Sequence, residues 1–139
     1  MTRDEVLARL KVSRAVFDEK LAAVRPESLD AVPPGSTHSM KDIVAHVTAY
    51  DDLIVLRLIS ARHGSTTAFD RDRDVFAALL HEVGQLSDDE LGARVGATAA
   101  LDPAWLEGRA PWQTIGIDAF DHYPMHYDAL DAAPGIADR

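Results

Sequence analysis

The sequence predicts an all-α protein, an antiparallel four-helix bundle with an additional short helix or turn, and three observations carry that expectation. Apolar residues recur at intervals of three and four through most of the chain, the spacing that lines one face of a helix turning about 100° per residue. Three segments open on a hydroxyl side chain with a carboxylate three residues on: Thr2 with Glu5, Ser39 with Asp42 and Ser87 with Glu90. In that pattern each side chain satisfies a backbone N–H that a helix start leaves orphaned. No stretch alternates apolar and polar residues as a half-buried strand does.

The first helix follows Thr2 and carries Val6, Leu7, Leu10, Phe17, Leu21 and Val24 on one face. Residues 25–38 contain three prolines and a glycine and read as a long surface loop. Ser39 caps the second helix, whose inner face holds Ile43, Val47, Tyr50, Ile54, Leu58 and Ala61 until Gly64 stops it. Val75, Phe76, Leu79, Leu80, Val83 and Leu86 mark the third, and SDDE at 87–90 opens a short helix or turn. Residues 92–108 carry too little pattern to assign. Pro111 suits a first helical turn, and the fourth helix is expected from about Trp112 to Ala132. With 139 residues and no internal repeat or linker, the chain reads as one domain spanning 1–139.

Composition removes several function classes. Twenty-three acidic residues against 14 basic ones give a net charge of −9, with no local Lys/Arg cluster, which opposes binding to nucleic acid. No apolar run approaches the roughly 20 residues that span a bilayer, and MTRDEVLARL opens a helix rather than a secretory signal, so a cytoplasmic location and no membrane partner are expected. The absence of cysteine excludes disulfides, thiolate ligands and a cysteine nucleophile, leaving His, Asp and Glu as the metal ligands available. Glycine-rich phosphate loops, G-x-S-x-G and H-E-x-x-H are absent too.

The chemistry concentrates in DHYPMHYDAL, residues 121–130, where His122 and His126 stand four apart around Pro124. Phe120, Tyr123, Tyr127 and Leu130 keep one apolar stripe in phase across the proline, so the helix is expected to continue, kinked. The competing reading ends it at Tyr123 and restarts a turn at Pro124. His122 and His126 project beside Ile115 and Ala119 at the flank of that stripe. On the second helix His46 falls in the arc of Ile43, Tyr50, Leu53 and Ile54, with Thr48, Asp51 and Asp52 on the solvent side. Three inward histidines from two helices can form a facial ligand set with open positions, as a catalytic metal requires. They can equally be polar core groups.

STHSMKDIVAHVTAYDD resembles the second-helix signature of the DinB-like superfamily of four-helix bundles, with Ser39, Asp42, Ile43, Val44 and His46 on its capped S-x-x-[DE]-[ILV]-[ILV]-x-H pattern. DAFDHYPMHYDAL resembles the H-x-x-x-H of that family's last helix, and its HY-x-x-H is similar to the branch of colibactin self-protection proteins. The tryptophan that often precedes the capping serine there is His38 here. The resemblance covers nearly the whole chain and implies a divalent metal, zinc or nickel, on His46, His122 and His126. It also implies kinship with mycothiol-dependent maleylpyruvate isomerases, bacillithiol transferases and hydrolases that disarm reactive small molecules.

A divalent ion on three neutral imidazoles lowers the pKa of a bound water or thiol. With no cysteine in the chain, water or a low-molecular-weight thiol cofactor takes the open position. Asp42 and Tyr50, one turn to either side of His46, and Asp118, one turn before His122, are the candidate supporting catalytic residues, with Asp118 placed to orient an imidazole N–H. Arg57 tilts inward as a receiver for an anionic substrate, and Trp112, with Trp105, is a candidate for a pocket mouth. His38, His63 and His81 are expected in solvent. The expected function is a metal-dependent enzyme that acts on a reactive small molecule by thiol transfer or hydrolysis, possessing a small-molecule substrate and the exposed helix ends of a homodimer. A metal-free hydrolase, or a non-catalytic bundle that sequesters a small molecule, is the alternative.

Overall fold

The computed structural model describes residues 1–64, 74–93 and 101–133. These are helical with no strand: α1 (Arg3–Ala22), α2 (Met40–His63), α3 (Val75–Gly84), α4 (Asp88–Gly92), α5 (Pro103–Leu106), α6 (Pro111–Ile115) and α7 (Tyr127–Asp131), with short 3-10 turns at Pro26–Ser28 and Tyr123–His126 and a π-helical turn at Gly116–Phe120. None of the described helices is long and apolar enough to cross a membrane.

All three capping boxes form. Thr2, Ser39 and Ser87 accept from the backbone N–H of Glu5, Asp42 and Glu90, whose carboxylates accept in return from the cap backbones. At the other end of α2, Gly64 takes φ 75°, a left-handed turn that a side chain disfavours, and its N–H closes on the Ser60 carbonyl. The patternless 92–108 stretch resolves in part: Asp102 caps α5, and Trp105 and Leu106 are buried. Residues 94–100 lie outside the described residues.

α2 and α3 pack together, α1 lies against α3, and the run from α6 to α7 rests on α1 while its π turn also touches α2. Val6, Leu10, Phe17, Ile54, Leu79, Ile115, Tyr123 and Leu130 fill the core between them. Two bonds fasten the end of the run to α1: the Tyr127 hydroxyl donates to the Ser13 carbonyl at 2.6 Å, and Lys20 pairs with Asp131 at 2.8 Å.

Two sequence expectations need correction. The fourth helix is not one kinked α-helix. Its path continues, but it passes from α to π at Gly116, through a turn at Asp121 and His122, then into a 3-10 turn at Tyr123 and back to α at Tyr127. Pro124 sits at the start of the 3-10 turn, where its missing N–H costs least. Just before it, the Asp121 N–H donates five residues back to Gly116 and the His122 N–H only three back to Ala119, so the α ladder is already lost. Gly116 leaves room for the Phe120 ring: a Cβ there would lie 2.6 Å from it.

Asp51, expected in solvent, is fully buried. It accepts from the Tyr123 hydroxyl at 2.7 Å and from Arg14 at 2.8 Å. The Arg14 guanidinium in turn lies over the rings of Phe17, Phe76 and Tyr123. Periodicity misplaces Asp51 because α2 is covered on more than one side, so more of its circumference is interior than one apolar stripe indicates.

Candidate metal centre

His46 comes from the second turn of α2, and His122 and His126 from the π/3-10 break. Their imidazoles meet. Nε2 of His122 lies 3.0 Å from Nε2 of His46 and 3.1 Å from Nε2 of His126, and the ligand atoms of the three side chains fall within 4.8 Å of one another. The rings stand nearly edge to face, with centroids 4.8 to 5.3 Å apart. His122 is buried, His126 half-buried and His46 exposed, so the cluster opens to solvent on the α2 side.

An imidazole nitrogen carries either one proton or one lone pair. Nε2 of His122 therefore cannot satisfy both of its neighbours by hydrogen bonding, whichever tautomer it adopts. Three such nitrogens gathered within 4.8 Å are what a cation needs, and the two short separations are close to the roughly 3.3 Å between nitrogens around a tetrahedral zinc. Nδ1 of His122 is sealed from solvent and lacks a well-aligned partner among the described residues. The Asp118 backbone nearby favours the protonated ring but does not outweigh burial. A proton on Nδ1 would leave the Nε2 lone pair free, the tautomer of a ligating histidine. The three side chains thus fit a metal ion.

Electrostatics favour the same state. Burial, together with the charges of His122, His46 and His38, pushes the His126 pKa down to about 4, and burial with His46 lowers that of His122. Both imidazoles are neutral at neutral pH, as metal binding requires. Burial raises Asp51 to about 6, countered by its bonds from Tyr123 and Arg14.

Of the supporting residues the sequence nominates, Tyr50 is at the cluster. Its ring packs 4.9 Å from His46 and 4.8 Å from His122, centroid to centroid, with 37% of the residue exposed. The other nominees have different partners. The Asp42 carboxylate accepts from the Ser39 backbone in the α2 cap. The Asp118 carboxylate accepts from the Trp105 indole at 2.9 Å, so its side chain is engaged there rather than orienting an imidazole. Arg57 stands about three turns beyond His46, pairs with Asp102 and stacks on Trp105. Trp112 is half-buried against the core. Leu53, expected in the inner arc, is 37% exposed. His81 is exposed as expected, and the side chain of His63 lies outside the description.

His38 is solvent-exposed as expected, but its place beside His126 is not foreseen in the sequence. Exposed in the loop before α2, it lines one groove with His126 and is near enough to disfavour protonation of that residue. Only the loop's path brings it there, so no spacing within the sequence could signal it. Set against known proteins, the chain matches no family model, no curated protein and no solved structure.

Proposed function

We propose that this protein is a metal-dependent enzyme of DinB-like four-helix-bundle type, with zinc or nickel on His46, His122 and His126, acting on a reactive small molecule by thiol transfer or hydrolysis. The observation that carries the reading is the convergence of three Nε2 atoms whose lone pairs cannot all be satisfied by one another. The open α2 side supports a catalytic rather than a structural ion, since protein ligands occupy only three positions. Such an ion supplies positive charge beside an open position, which activates a water or thiol nucleophile near neutral pH. The chain's own contribution is to hold the imidazoles neutral and close together, with Tyr50 packed against His46 and His122. Packing of α1, α2, α3 and the α6–α7 run against one another supports the bundle arrangement.

Elemental analysis of untagged protein, purified without chelator, tests the reading. Near-stoichiometric zinc or nickel is expected in the wild type and a loss of at least about tenfold in affinity in His46→Ala and His126→Ala. Thiol-transfer and hydrolysis assays on electrophiles follow with the loaded protein. Wild-type protein that takes up neither metal on incubation returns the cluster to a polar pocket lining and leaves a metal-free hydrolase or sequestering protein.

A further inference from the structure

The cluster does not stand alone. From His126 a groove of about 580 Å³ runs between the Pro34–His38 loop and the Met125–Ala132 stretch, a volume in the range of small-molecule sites. Ile43, Met125, Ala129 and Ala132 give it an apolar floor. Met125 is 74% exposed at the groove. Ser36, Thr37, His38 and Asp128 supply hydrogen-bonding groups along the walls.

The charge of the lining is one-sided. No lysine or arginine lines the groove among the described residues, and its carboxylate is Asp128, exposed on α7. In the metal-free chain, a molecule bearing a carboxylate would meet that group with no lysine or arginine of the lining to offset it.

We propose that this groove is a ligand site for a small molecule without negative charge, whose apolar body lies on Met125, Ala129 and Ile43 and whose reactive end abuts His126. It rests on the reading of the three histidines as the reactive centre. It adds a selection rule: an uncharged thiol or electrophile is taken, and its anionic counterpart is discriminated against by Asp128. His38, on the opposite wall from α7, contributes a hydrogen bond to either.

N-acetylcysteine amide and N-acetylcysteine form a suitable probe pair, since they differ in an amide against a carboxylate. Each is titrated into the ¹⁵N-labelled full chain, metal-free and after zinc loading, and read by amide chemical shifts. The expected result is perturbation centred on Gly35, Ser36, Thr37, Met125 and Ala129, with the amide bound about fivefold more tightly by the metal-free chain, the effect of one like charge at close range in water, and with that ratio reduced after zinc loading. Asp128→Asn should bring the ratio close to one, and His38→Ala should weaken both probes without altering it. Perturbations centred elsewhere, no binding of either thiol, equal affinities for the metal-free chain, or a ratio insensitive to Asp128→Asn overturns the proposal. Zinc loading is measured separately, so a chain that fails to load sinks the metal reading while the metal-free titration still decides the groove.

Discussion

Tyr123 and His122 are neighbours in the chain and face opposite ways, one into the core and one toward the cluster. Tyr123 is fully buried and its hydroxyl is held by Asp51, itself paired with Arg14. The network anchors the backbone where the α ladder fails. Truncating one partner of a buried polar pair leaves the other unsatisfied, at a cost of about 1 to 3 kcal/mol for a neutral donor and about 3 to 5 kcal/mol for an ion pair. Tyr123→Phe is therefore expected to destabilise by the smaller amount and Asp51→Ala by the larger, read by urea unfolding. A Tyr123→Phe chain within a few tenths of wild type would show that the hydroxyl anchors nothing.

At the scale of the element, the π turn brings both histidines to α2 despite Pro124. It adds a residue to the circuit of the helix, so the last segment re-enters with Tyr127 and Leu130 still against α1 and the core while His122 and His126 stay together. Gly116 leaves room for the Phe120 ring there. In an ordinary helix Gly→Ala stabilises by about 1 kcal/mol, but at Gly116 the new methyl would strike the Phe120 ring. Gly116→Ala is expected to cost about 1 to 3 kcal/mol instead, as overpacking does, and to weaken zinc binding along with stability. A gain in the urea midpoint would refute the tight approach.

For the whole molecule, the buried and half-buried titratable groups set an acid response of definite sign. His126 has its folded pKa lowered from 6.5 to about 4, so the unfolded chain takes up the proton first. The stability this residue contributes is present above pH 6.5 and lost as pH falls toward 4. His122 acts in the same direction. Asp51 opposes them: raised from 3.8 to about 6, its contribution is full below pH 3.8 and lost as pH rises through 6. Metal-free wild type is expected to lose stability between pH 6.5 and 4 more steeply than His126→Gln, in which the Asp51 effect is less opposed. Urea midpoints at pH 7, 6 and 5 provide the comparison, and parallel slopes would exclude His126 as the source.

Helix starts were legible in the residues alone, because a capping box is a contact between side chain and backbone three positions apart and needs no partner from elsewhere. The same holds for the α2 stop at Gly64 and for the pairing of His122 with His126. What required the folded chain depends on contacts distant in sequence. Asp51 is buried because Arg14 and Tyr123 reach it from other segments, and a carboxylate in a helical pattern otherwise reads as solvent-facing. His46 joins the histidine pair as the arc of its apolar neighbours indicates, but from an exposed position rather than an inward one. His38 reaches the groove because its loop folds back beside the 3-10 turn. The α, π and 3-10 alternation is likewise a compromise between local hydrogen bonding and packing against α1 and α2. Local rules therefore set where helices begin and end, whereas the chemistry of the site depends on long-range packing that brings unlike segments to one point.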